Sequence, residues 1–124
     1  MRLLGLDVGT RKTGVAFGST DDGIVFSLPT ISHVSEDQLS TALLSLISEK
    51  SIDEVVLGLP LLPSGEEGAQ ASVVRSLFDR LRIEGISCHL LDERYTTPTR
   101  TDIDPDAASA CEIVNIWLDL NKYN

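Results

Sequence analysis

Asp7 stands in the run RLLGLDV, residues 2 to 8, which is otherwise apolar enough for a strand buried on both sides. An uncompensated carboxylate there costs several kcal/mol. Either a local arginine or a hydrogen-bonded turn into Gly9-Thr10 meets it, or it binds a cation at the end of a central strand, and buried ionisable groups concentrate at functional sites. Asp92-Glu93-Arg94 directly follows a second apolar run, which puts carboxylates where open α/β sheets carry their ligands. Alone, that triplet also reads as a solvated loop. Asp106 falls in the first turn of a helical repeat, where the helix dipole already favours an acid, and Asp104 before Pro105 reads as the cap of that helix. Taken together, Asp7, Glu93 and Asp106 are hard oxygen donors suited to Mg²⁺ or Mn²⁺. Two such ions about 3.5 to 4 Å apart activate a water and stabilise the leaving oxygen of a phosphodiester without a histidine or cysteine nucleophile.

These three residues converge only if the last helix crosses the centre of a sheet with its start beside strands one and five. The residues between them predict such a scaffold. After strand 2–8, Gly9-Thr10-Arg11-Lys12 turns the chain into a second strand, 13–19, and Asp21-Asp22-Gly23 turns it into a third, 24–31, which Pro29 marks as an edge. Ser35-Glu36-Asp37-Gln38 is a capping box, followed by Leu39, Ala42, Leu43, Leu46 and Ile47 at helical spacing. Residues 53–59 form a buried strand ended by Pro60. Val74, Leu77, Phe78 and Leu81 define the next helix up to Gly85, and 86–91 the fifth strand. Ala107, Ala110, Cys111, Val114 and Leu118 line the last helix. Three strands followed by alternating helix and strand predict an α/β fold: a mixed sheet with helices on both faces, in a single domain, 1–124.

The 124 residues, 42% hydrophobic and 23% charged, suffice for one core. No apolar run approaches the roughly 18 to 20 residues that span a bilayer, and the opening residues enter a strand pattern at once, so a soluble, cytoplasmic protein is expected. Cys88 and Cys111 have neither zinc spacing nor disulfide density and read as buried thiols. His33 and His89 lack a ligand spacing and read as surface or core residues. The net charge of −9 runs against the basic face usual for a nucleic-acid binder. It is tolerable where positive charge gathers at the site, and Arg11, Lys12, Arg94 and Arg100 do flank the acidic motifs.

Four stretches carry a resemblance to a known family: GLDVGTRKTGVA at 5–16, VVLGLPL at 55–61 with GEEG at 65–68, LDERYTT at 91–97, and DAASACEIVNIWL at 106–118. Their order and coverage are similar to the YqgF/RuvX family, known as pre-16S rRNA nucleases and as Holliday junction resolvases. The resemblance implies a ribonuclease-H-like fold, sheet order 3-2-1-4-5 with strand 2 antiparallel, and metal-binding catalytic carboxylates at Asp7, Glu93 and Asp106. It implies nucleic-acid contacts at Arg11, Lys12, Arg94, Thr96 and Thr97, and a Mg²⁺ or Mn²⁺ cofactor. The expected partner is pre-rRNA or branched DNA, bound by a monomer or a homodimer, with processing of the 5′ end of pre-16S rRNA ahead of junction resolution. In one respect the chain departs from the pattern. Between LDERYTT and the helix-start aspartate the family carries a helix and a flexible basic segment, and here only residues 98–105 intervene.

Two other classes stand beside the nuclease. DVGT followed by GVA also looks like the first phosphate loop of actin-like sugar kinases and chaperone ATPases, but those close two such domains around a nucleotide. A non-catalytic nucleic-acid-binding role would keep the fold without productive substrate binding, and the intact carboxylate trio argues against it.

Overall fold

Strand alternation and turn chemistry build the opening sheet largely as expected. The computed structural model describes residues 1–92 and 105–121. Strands β1 (Arg2–Val8) and β2 (Lys12–Ser19) pair antiparallel with Asp7 opposite Gly14, and the Gly9 N–H donates to the Lys12 carbonyl at 2.9 Å to close the hairpin. Gly23, at φ +71°, turns the chain into β3 (Val25–Ser32). This strand begins one residue later than expected because the Ile24 N–H is taken by the Asp22 carboxylate at 3.1 Å. It forms a sheet edge, as Pro29 requires.

Helix α1 (Glu36–Glu49) leads to β4 (Glu54–Leu59), then α2 (Ala69–Ile83), β5 (Cys88–Asp92) and α3 (Pro105–Asn121). Pro105 opens α3 as expected, while Asp104, its expected cap, lies outside the described residues. The start of β5 differs from the expected residue 86. Gly85, at φ +86°, ends α2, and the Ile86 N–H reaches back to the Leu81 carbonyl at 3.0 Å, so Ile86 still belongs to the helix-terminating turn.

The sheet order is β3-β2-β1-β4-β5, with β1 parallel to β4, β4 parallel to β5, and β2 antiparallel to its neighbours. Leu4, Leu6, Val8, Leu57 and Leu59 bury one face under α1 and α2, packing on Leu43, Leu77 and Leu81. The opposite face lies under α3, where Ala16 meets Ala110, Cys111 and Val114, and Val56 and Leu91 meet Ile113. Glycines on β1 and β2 bring the helix unusually near. A Cβ at Gly5 would lie 2.9 Å from the Ala110 carbonyl oxygen and would overlap the Val114 side chain. The last helix therefore crosses the centre of the sheet as expected, but its first turn rests on Gly14 of β2, on the side of β1 away from β5, and not beside strands one and five.

Candidate active site

Strand parity decides which way Asp7 faces. Leu6 and Val8 belong to the α1/α2 core, so Asp7 between them projects toward α3, at the carboxyl end of the central strand, where it is half-buried. Its cross-strand partner is Gly14, and one step beyond the Leu6–Leu57 pair it is level with Gly58 of β4. Neither lateral neighbour carries a side chain, so the carboxylate sits in an open shelf on the sheet.

The start of α3 rests on one half of that shelf. A Cβ at Gly14 would overlap the Asp106 carbonyl oxygen and lie 3.0 Å from the Ala107 nitrogen. Asp106, in the first turn of α3 and half-buried, thus packs its backbone on the residue opposite Asp7. Two of the three predicted residues, Asp7 and Asp106, are thereby placed on one strand pair, Asp106 by its backbone. Glu93, Arg94, Thr96 and Thr97 lie outside the described residues, and Glu93 follows Asp92 in sequence. Asp92 itself pairs with Leu59, whose side chain belongs to the α1/α2 core, and so sits on the face opposite Asp7.

The alternatives that could have compensated Asp7 locally are absent among the described residues. No Lys, Arg or His there forms an ion pair with it, and the Gly9 N–H serves Lys12 instead. Among the described residues no three His, Cys, Asp or Glu side chains gather to hold a metal ion. Asp7 and Asp106, both half-buried, are hard oxygen donors, a chemistry that suits Mg²⁺ or Mn²⁺ and does not suit a soft metal.

Arg11 and Lys12 are exposed on the hairpin turn beside the carboxyl end of β1. The turn is held from behind, since the His33 N–H donates to the Arg11 carbonyl at 2.9 Å. His33 is buried and shares a 2.9 Å hydrogen bond with Thr13. A contact the sequence did not signal comes from Gln70, whose Nε2 donates to the Val8 carbonyl at 2.7 Å and ties the start of α2 to the strand end carrying Asp7. Gly14 and Gly58 were also passed over. A glycine inside a strand marks close backbone approach, and that was the available signal.

A separate hollow lies elsewhere among the described residues. A cleft of about 740 Å³, lined by Glu54, His89, Asn115 and Trp117 among others, opens at the opposite end of the sheet. There His89 stacks on Trp117 with ring centroids 4.6 Å apart. Its Nε2 lies 3.3 Å from a Glu54 oxygen without the alignment of a hydrogen bond. Asp7 and Asp106 are not part of that lining.

The sequence matches the family described as RuvX, Holliday junction resolvase, over residues 1–120. The chain belongs to the RuvX family. Two similar relatives are both provisionally named pre-16S rRNA nuclease. One, from Myxococcus xanthus (strain DK1622), is 38% identical, covering 98% of this chain and 90% of its own length. The other, from Chloroflexus aurantiacus (strain ATCC 29366 / DSM 635 / J-10-fl), is 32% identical, covering 98% and 89%. The Myxococcus alignment runs over 139 positions against 124 residues here, so that RuvX relative carries at least 15 positions with no counterpart in this chain, in keeping with the short connection before α3. A solved structure of Thermus thermophilus RuvC in complex with a Holliday junction substrate superposes with a TM-score of 0.72 at 8% identity, over 98% of this chain and 97% of that one. At that identity the likeness establishes the fold.

Proposed function

We propose that this RuvX protein is a divalent-metal-dependent endonuclease that processes the 5′ end of pre-16S rRNA. The observation that carries the reading is the placement of Asp7 on the open shelf between Gly14 and Gly58, with the first turn of α3 bringing Asp106 onto the same strand pair. Asp7 and Asp106, with Glu93 as third ligand, would hold Mg²⁺ or Mn²⁺. The ion would supply an activated water and charge stabilisation for the leaving oxygen. The protein's own part is positional. β1 fixes Asp7 rigidly because both its neighbours in the sheet are paired. Arg11 and Lys12, with Arg94, Thr96 and Thr97 after β5, would bind phosphates on either side of the scissile bond. The names carried by relatives at 32% and 38% identity support the rRNA substrate.

The second reading, Holliday junction resolution, is favoured by the family's own description. A symmetric four-way junction calls for a two-fold dimer, whereas rRNA trimming does not. No helix among the described residues is long and apolar enough to cross a membrane, and the reading places the protein in the cytoplasm with its RNA.

The test is cleavage with Mn²⁺ of two labelled substrates, a pre-16S rRNA 5′ fragment and a four-way DNA junction. Asp7→Asn should reduce cleavage of the rRNA fragment by at least about 100-fold, beyond the 10- to 100-fold typical for residues one shell removed from a metal. An undiminished rate in Asp7→Asn with metal in excess rejects the ligand assignment. Cleavage of the junction alone transfers the conclusion to the second reading.

A further inference from the structure

We propose that Gly14 is a positioning residue for the carboxylate site: its missing side chain sets how closely Asp106 approaches Asp7. The inference rests on the metal-site reading above. Gly14 is the cross-strand partner of Asp7, and the space its Cβ would occupy is filled by the Asp106 carbonyl oxygen, with the Ala107 nitrogen 3.0 Å away. Both obstacles are backbone atoms of the first turn of α3, which cannot rotate aside.

The other close glycine of β2 differs in kind. At Gly18 a Cβ would first meet Cγ1 of Val114, the end of a side chain, more than one helical turn beyond Asp106. Both glycines let α3 lie flat on the sheet, but only the clearance at Gly14 is occupied by a residue assigned to the metal. A side chain at position 14 would lift the start of α3 by about one C–C bond, ~1.5 Å, and carry Asp106 with it. Metal–ligand distances tolerate only about 0.2 Å. The displacement is several times larger than the tolerance, so the expected loss is of metal binding and not of stability alone.

The experiment measures Mn²⁺ affinity by titration calorimetry alongside thermal melts and cleavage, for the wild type, Gly14→Ala, Gly18→Ala, Asp106→Glu, the double variant Gly14→Ala/Asp106→Glu, and Asp7→Asn. Gly14→Ala should bind Mn²⁺ about tenfold or more weaker at a temperature where it is folded. Gly18→Ala should melt lower while keeping affinity within about twofold. Asp106→Glu should weaken binding, since its extra methylene overshoots a spacing set by backbone contact. The double variant should bind better than Gly14→Ala, because the same methylene restores the lost reach. Wild-type affinity in folded Gly14→Ala overturns the proposal. So does wild-type affinity in Asp106→Glu, which tests the spacing without altering the glycine and decides the matter if Gly14→Ala does not fold. Unchanged binding in Asp7→Asn rejects the metal-site reading itself, whereas loss there with no loss in Gly14→Ala overturns only the role of Gly14.

Discussion

Burial holds the His33 imidazole below its ordinary pKa of 6.5, so it is neutral at pH 7 and able to share its hydrogen bond with Thr13. The sign of the pH effect follows from proton counting. The unfolded chain takes up a proton as pH falls through 6.5 while the folded chain resists, so stability is lost on acidification below 6.5 and is fully present above it. Melts at pH 7.5 and pH 5 should show a larger loss for the wild type than for His33→Gln. Glu36 lines the same hollow and is present in both proteins, so the difference between them reports the imidazole. An equal loss in the two would remove His33 from the account. Cys88 gives a second residue-level test. Burial pushes its thiol up to about 11, against a smaller opposing pull from Arg82. At pH 8 the thiolate fraction is then on the order of 10⁻³, and alkylation of the native protein should be slow and accelerate sharply in denaturant.

At the scale of elements, the start of α1 shows how far local chemistry determines structure. The Ser35 Oγ accepts from the Gln38 N–H at 3.2 Å, and Gln38 Oε1 accepts from the Val34 N–H at 2.8 Å, a capping box whose return bond falls one residue earlier than the usual partner. Ser35→Ala should cost about 1 kcal/mol in urea melts with an unchanged m-value. Caps, turns and alternation of this kind were legible because each depends on a few adjacent residues. The hairpin around Gly9, the Asp22-Gly23 turn, the edge position of Pro29 and the start of α3 at Pro105 all follow from such local rules. Side-chain periodicity read less of α3, where Ala108 and Ile113 are buried in addition to the expected stripe. That helix covers two separate parts of the sheet, one around Ala16 and one around Val56 and Leu91, so its inner face is wider than a single stripe. At the candidate site, Asp7 and Asp106 were legible as acids at strand and helix ends. Gly14 was not, because a residue without a side chain acquires meaning only from what crosses above it. Gln70 stayed hidden for a similar reason, since its partner is 62 positions away and is a backbone carbonyl, which any sequence possesses.

The whole molecule carries a net charge of −9, and this bears on how it meets nucleic acid. Binding to a polyanion releases counterions in proportion to the phosphates neutralised, so the slope of log affinity against log salt counts the cationic contacts. In the proposed function Arg11, Lys12 and Arg94 would supply three, and at about 0.7 to 0.9 per contact they predict a slope of about −2 to −3. The rest of the surface repels the strand, which lowers affinity at low ionic strength and flattens the slope further. The flexible basic segment that the family resemblance implies before α3, where only residues 98–105 intervene, would steepen it. Fluorescence anisotropy with a labelled pre-16S rRNA fragment between 50 and 200 mM salt, in Ca²⁺ to hold back cleavage, measures the slope directly. Removing one cation by Lys12→Gln should make it shallower by somewhat less than one. A wild-type slope steeper than about −5 would require phosphate contacts that these three residues cannot provide, and the footprint would then have to extend onto other cationic residues such as Arg100.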